Sequence, residues 1–195
     1  MRFLAALLTA GALAQTVPYE RILNSHKEPH NWLTYSGNYN GQRYSLLDQI
    51  NAANAGRLQV AWVFQSMTTE TFEATPIVVD GIMYLTIGPN QVKAIDVRTG
   101  TTFWTYTREV PDDLRLCCGR VNRGVAVHND MVYYGSIDAH LIALDSKTGR
   151  VRWDTTMADY KLGYSSTGAP LAVKETIVTG IPGGEHGVRG FVEAY

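Results

Sequence analysis

The sequence predicts an all-β protein, a partial β-propeller of about three blades. A long-period repeat, turn signals between short apolar runs, and composition each point that way. Ala94-Ile95-Asp96-Val97-Arg98-Thr99-Gly100 is followed by Trp104, and Ala143-Leu144-Asp145-Ser146-Lys147-Thr148-Gly149 by Trp153. Both read A-[IL]-D-x-x-T-G-x-x-x-W and lie 49 residues apart. Ala194-Tyr195 stands 51 residues after Ala143, where a third copy would begin. The 18 glycines, 11 tyrosines and 4 tryptophans, with many Val and Thr, suit strands joined by turns.

The chemistry of each unit accounts for its pattern. An apolar strand ends in Asp, whose side chain can bond the turn backbone, and Gly100 or Gly149 takes the positive φ of the turn. The next strand brings Trp104 or Trp153 back onto the core. Further strands are predicted at 74–79 and 83–86 around an Asp80-Gly81 hairpin turn, at 125–128 and 131–136 around Asn129-Asp130, and at 169–174 and 176–179. Four short strands per period of about fifty residues fit a propeller blade, which buries its two faces only between neighbours. The 135 residues from Ala61 onward fall short of a closed ring. A β-sandwich is the competing reading, but it gives no reason for two tryptophans at one offset.

The N-terminus reads as a secretory signal. Arg2 is a positive n-region, Phe3 to Leu13 an apolar stretch, and Ala12-Leu13-Ala14 a small-residue cleavage site. The expected organisation is a signal peptide at 1–14, an N-terminal segment at 15–60, and the repeat-bearing unit at 61–195. The apolar run is too short to span a bilayer, and no cysteine follows it to take a lipid, so no stable membrane anchor is expected. Removing 1–14 takes away one of 17 basic residues and none of the 18 acidic ones. The near-neutral product argues against nucleic acid as a partner.

Cys117 and Cys118 are the only cysteines. Adjacent cysteines make poor staples, because a bond between them closes almost no loop and removes little unfolded-state entropy. Taken alone they read either as two unrelated thiols or as a local disulfide offering a flat apolar surface. Export would let a disulfide persist.

The two repeat units resemble the tryptophan-docking motifs of pyrroloquinoline quinone (PQQ) dehydrogenases. Asn31-Trp32-Leu33-Thr34-Tyr35, Gly41-Gln42-Arg43-Tyr44-Ser45 and Gln49-Ile50-Asn51 resemble the N-terminal segment of the methanol/ethanol dehydrogenase branch. Cys117-Cys118-Gly119-Arg120-Val121-Asn122-Arg123-Gly124 resembles that branch's vicinal disulfide motif. Gly183-Gly184-Glu185-His186-Gly187-Val188-Arg189-Gly190 resembles its metal and quinone motif. The resemblance covers the whole chain after the signal, but only the N-terminal part of the family's eight-bladed propeller.

The resemblance implies a role for each matching residue. Cys117 and Cys118 would form a disulfide ceiling over PQQ, and Arg123 would pair with one of its carboxylates. Glu73 and Thr167 match an acid and a hydroxyl beside the quinone. Gly183 and Gly184 would let the backbone approach the cofactor. Glu185 would be a ligand of the bridging metal, Ca²⁺ or a lanthanide. Alone, Glu73, Arg123 and Thr167 would each read as ordinary surface or turn residues. Pro182 departs from the serine of well-known members, and His186 stands at a variable position.

The function implied is oxidation of a primary alcohol by a periplasmic PQQ- and metal-dependent alcohol dehydrogenase that passes electrons to a cytochrome c. The family's aspartate base, further metal ligands and tryptophan floor belong beyond Tyr195. No catalytic residue is therefore expected in 1–195, and the isolated chain is expected to be inactive. A non-catalytic PQQ-repeat scaffold is the alternative, though it gives no reason to keep Glu73, Cys117-Cys118 and Glu185 together. A sugar-oxidising membrane-bound relative fits poorly with the signal peptide and the paired cysteines.

Overall fold

A computed structural model describes residues 16–88, 90–117 and 119–195. The expected signal peptide lies outside them. Strands dominate, and among the described residues they form three antiparallel sheets. The first runs in the order β1 (Ile77–Val79), β2 (Ile82–Ile87), β3 (Gln91–Asp96), β4 (Thr102–Thr107). The second repeats that meander with β5 (Val125–His128), β6 (Met131–Ser136), β7 (His140–Asp145), β8 (Val151–Thr156). The third holds β9 (Leu171–Val173), β10 (Thr176–Ile181) and β11 (Phe191–Ala194). The leading strands β1, β5 and β9 lie side by side. The chain is thus a partial propeller, as its repeat predicts.

The repeat residues do what their chemistry suggests. Asp96 Oδ1 accepts from Arg98 N at 2.8 Å, and Asp145 Oδ1 accepts from Thr148 N at 2.9 Å. Gly100 and Gly149 close these turns at φ +74° and +69°. The small residue of each unit is explained across the strand pair, where Ala94 faces Trp104 and Ala143 faces Trp153. A register shift follows each of these alanines, at Ala94/Ile95 and at Ala143/Leu144. The bulge recurs with the repeat.

The tryptophan's target is more specific than a shared core. Trp104 lies over the turn glycine of the next sheet, and its Nε1 donates to the Ser146 carbonyl at 3.0 Å. A Cβ at Gly149 would sit 2.5 Å from the Trp104 ring. Trp62 makes the same pair of contacts one unit earlier. Its Nε1 donates to the Val97 carbonyl at 2.9 Å, and a Cβ at Gly100 would meet its ring at 2.8 Å. Residues 61–67 therefore hold, toward the first sheet, the place that β4 holds toward the second. Their exposure alternates, with Trp62, Phe64 and Ser66 half-buried and Val63 and Met67 exposed.

Two predicted strands begin late for one reason. Pro76 and Pro170 lack the N–H that a ladder needs, so β1 starts at Ile77 and β9 at Leu171. The predicted strand at 176–179 runs on to Ile181, paired with β11.

The N-terminal segment laces the sheets together. A short helix α1 (Tyr19–Leu23) buries Ile22, and Val17 bridges to Asn129 of the second sheet. Trp32 bridges to Val78 of the first, and Tyr39 Oη donates to the Ala172 carbonyl of the third at 2.6 Å. Arg21 pins this segment to the β1–β2 turn. Its Nε donates to both Glu28 carboxylate oxygens, at 2.9 and 2.8 Å, and its Nη1 to Asp80 Oδ2 at 2.8 Å. These bonds from Arg21 hold both carboxyls below their ordinary range.

Gly149→Ala is expected to destabilise the chain by about 2–4 kcal/mol, from the left-handed backbone and the clash with Trp104. Gly180→Ala, where a Cβ meets nothing within 4 Å, should stay within about 0.5 kcal/mol. Urea midpoints check both. The lowered carboxyls of Glu28 and Asp80 set the sign of an acid dependence. Their stabilisation is present at neutral pH and is lost as pH falls through and below the ordinary carboxylate range. Unfolding midpoints followed from neutral to acid pH should drop less steeply in Arg21→Met than in the parent.

Candidate functional site

Three connections meet at the same end of the leading strands. One runs into β1 through Glu73 and Thr75, one into β5 through Cys117 to Gly124, and one into β9 through Ser165 to Pro170. Arg123 joins them. Its backbone N–H donates to the Thr167 carbonyl at 3.0 Å, and its own carbonyl accepts from Thr75 N at 3.0 Å. Its guanidinium spans the same two neighbours, with Nη2 2.9 Å from Glu73 Oε2 and Nη1 donating to Thr167 Oγ1 at 2.9 Å. Side chain and backbone thus repeat one linkage, which fixes the guanidinium plane.

Asn122 holds the turn that makes this reach. It is buried at 2% exposure, its Nδ2 donates to the Gly135 carbonyl at 2.6 Å, and its Oδ1 accepts from Gly124 N at 2.9 Å. Gly124 has φ +131°, and a Cβ there would stand 2.9 Å from the Thr75 carbonyl oxygen. The Asn-Arg-Gly run therefore has three separate jobs: anchor, cation and close approach.

A cavity of about 200 Å³ opens beside Arg123. Cys117, Arg123, Thr167 and Glu185 all line it, together with Leu116 and Pro182. Four of the residues singled out by sequence, from three separate connections, thus meet around one space. Glu73 joins through its ion pair to Arg123. Cys117 is disulfide-bonded; Cys118 lies outside the described residues. Glu185 sits in a 3-10 turn at Gly184–His186 and is exposed.

The two glycines before Glu185 differ. Gly183 has φ +149°, and a Cβ there would meet Val188 Cγ2 at 2.4 Å and the Gly163 carbonyl oxygen at 2.7 Å. Its close approach is to the chain's own backbone. Gly184 has open space around its Cα. Sequence reasoning singled out neither Asn122 nor Trp62. The signal for Asn122 was its place one residue before Arg123. The signal for Trp62 was an Ala-Trp pair at the head of the repeat unit.

Residues 32–194 match the family described as PQQ, glucose/ethanol/alcohol dehydrogenase, beta-propeller domain. The chain belongs to that family of quinoprotein dehydrogenase propellers. The quinoprotein alcohol dehydrogenase PedH of Pseudomonas putida is 42% identical over 194 residues, which cover 98% of this chain and 33% of that protein. The 1-butanol dehydrogenase (cytochrome c) of Thauera butanivorans is 45% identical over 167 residues, covering 84% of this chain and 24% of that one. Among solved structures, a europium-containing methanol dehydrogenase superposes with a TM-score of 0.86 at 39% identity. That superposition covers 90% of this chain and 31% of the other. The chain thus spans about a quarter to a third of the length of these relatives.

Asn122→Ala should cost about 1–3 kcal/mol, because the Gly135 carbonyl is left buried without its donor. Urea unfolding measures it. Asn122→Asp retains the acceptor for Gly124 N but sets a buried carboxylate oxygen against the Gly135 carbonyl, so at neutral pH it should destabilise at least as much as alanine.

Proposed function

We propose that this chain forms one side of the cofactor site of a PQQ- and metal-dependent alcohol dehydrogenase. The observation that carries the reading is the meeting of Cys117, Arg123, Thr167 and Glu185 around one cavity. A planar, anionic quinone needs a fixed cation, a hydroxyl donor, a flat apolar surface and a hard oxygen donor for its metal. Each of these residues supplies one.

The donor set fits the group. Arg123 gives bonds to Glu73 and Thr167, yet a guanidinium has five N–H donors, so others remain for a carboxylate. Thr167 Oγ1 accepts from Arg123, which leaves its O–H to donate into the cavity. Glu73 balances the Arg123 charge and keeps it in register. Cys117, in the disulfide with Cys118 that the resemblance implies, would present the flat ceiling. Glu185, exposed at the cavity mouth, would offer its carboxylate to Ca²⁺ or to a lanthanide. When bound, PQQ supplies the acceptor for the hydride of the alcohol carbon.

In the whole protein the reading is oxidation of a primary alcohol in the periplasm, after export on residues 1–14, with electrons leaving to a cytochrome c. The name of the Thauera relative, a 1-butanol dehydrogenase (cytochrome c), supports both the alcohol and the acceptor. Among the described residues no helix is long and apolar enough to cross a membrane. The resemblance assigns the proton-abstracting aspartate and the further metal ligands to sequence beyond Tyr195. This chain alone should therefore bind without turning over.

Calorimetric titration of the chain with PQQ, with and without Ca²⁺, tests this. Binding should strengthen with Ca²⁺, weaken about tenfold or more in Arg123→Ala, and lose its Ca²⁺ dependence in Glu185→Gln. A dye-linked alcohol assay on the same samples should give no turnover. PQQ binding that ignores both substitutions, or steady turnover by the isolated chain, contradicts the reading.

A further inference from the structure

The connection from β4 to β5, residues 108–124, carries both Cys117 and Arg123. Residues 109–117 within it are half-buried or exposed, so the stretch has little packing of its own to fix its course. Arg108 and Asn122 tie its two ends to the β6–β7 hairpin, while Asp113 hydrogen-bonds Tyr160 between them and Arg123 holds Glu73 and Thr167 at the exit. Near the exit Asn122 donates to Gly135 of β6. At the entrance Arg108 makes the more extensive attachment. Its Nε donates to both Asp138 carboxylate oxygens at 3.0 Å, and its Nη2 donates to Oδ2 at 2.8 Å. Its Nη1 reaches past the hairpin to Asp154 Oδ2 on β8 at 2.7 Å.

The surroundings leave this clamp little slack. Arg108 is 13% exposed and Asp138 6%. Ser136 Oγ also donates to Asp138, and His140 Nδ1 stands 2.7 Å from Asp154 Oδ1, so both carboxylates are held from behind. The Arg108 backbone is tied to the first sheet, where its N–H donates to the Asn90 carbonyl at 2.9 Å and its carbonyl accepts from Asn90 Nδ2 at 2.7 Å. A planar fork can serve two carboxylates at once; a lysine ammonium at this depth cannot match that geometry.

We propose that Arg108 is a positioning residue for the cavity. It locks the entrance of the Cys117 connection onto the hairpin that already holds the exit, and so fixes where Cys117 stands relative to Arg123. The meaning for a cofactor rests on the PQQ reading above, but the clamp is measurable with no cofactor present. A merely structural ion pair would loosen the sheets together; a positioning pair loosens the connection.

The rate of disulfide reduction, read beside hydrogen exchange of the sheets, separates these on the 195-residue chain. In Arg108→Lys, the Cys117 disulfide should be reduced by a small thiol about tenfold faster, while the amides of β5 to β8 keep their exchange rates. Asp154→Ala removes only the outer arm and should give a smaller change of the same kind, which keeps the test open if the lysine variant folds poorly. An unchanged reduction rate, or an even rise in exchange across all three sheets, overturns the proposal. Local loosening in a chain that does not bind PQQ supports the clamp and counts against the cofactor reading alone.

Discussion

Everything at the cavity depends on Arg123 being shared by three connections. Its backbone hydrogen bonds tie the entry of the first sheet to that of the third, and its guanidinium repeats the tie through Glu73 and Thr167. The Arg123–Glu73 pair is about 40% exposed on each side, so its charge attraction adds little to stability. Its value is geometric. A cation held by its own backbone at both flanks keeps its remaining donors aimed, and that is what a site for an anionic ligand needs before the ligand arrives.

Sheet-to-sheet order comes from a second, repeated device. A tryptophan on the last strand of one unit covers the turn glycine of the next, and its indole N–H is satisfied by a carbonyl of that same turn. Glycine is required twice over at these positions, by positive φ and by the ring lying where a Cβ would be. Alanine is required across the ladder for the same ring. Each A-[IL]-D-x-x-T-G-x-x-x-W unit therefore serves two indoles, its alanine facing its own tryptophan and its glycine lying under the tryptophan of the unit before. Because the contact passes from unit to unit, an error in one blade shifts the cavity that the entry connections build above it.

Legibility followed the range of the interaction. Turn chemistry is local, so the Asp and Gly of each unit, the Asp80-Gly81 hairpin and strands such as Val125–His128 could be read directly. The prolines that delay β1 and β9 were equally local, yet their effect depends on which N–H groups the ladder demands. Cys117, Arg123, Thr167 and Glu185 could be gathered from family resemblance, and the cavity brings them together. What stayed hidden was long-range and polar. Nothing near Arg108 in sequence announces Asp138 and Asp154, and nothing near Asn122 announces Gly135. Gly183 was expected to admit a cofactor, and its missing Cβ is used by Gly163 and Val188, twenty and five residues away.

The same distinction separates this chain's two layers of design. The propeller repeat builds a platform whose sequence rules are periodic, and the entry connections place chemistry on it by non-periodic bonds. A crystal structure of the chain grown with PQQ and Ca²⁺ tests the central claim most directly. The quinone ring should lie flat against Cys117, with a carboxylate on the Arg123 guanidinium, the metal on Glu185, and the Thr75–Arg123–Thr167 backbone links intact. A quinone bound elsewhere, or an Arg123 that leaves Thr167 and Glu73 to swing free, would contradict it.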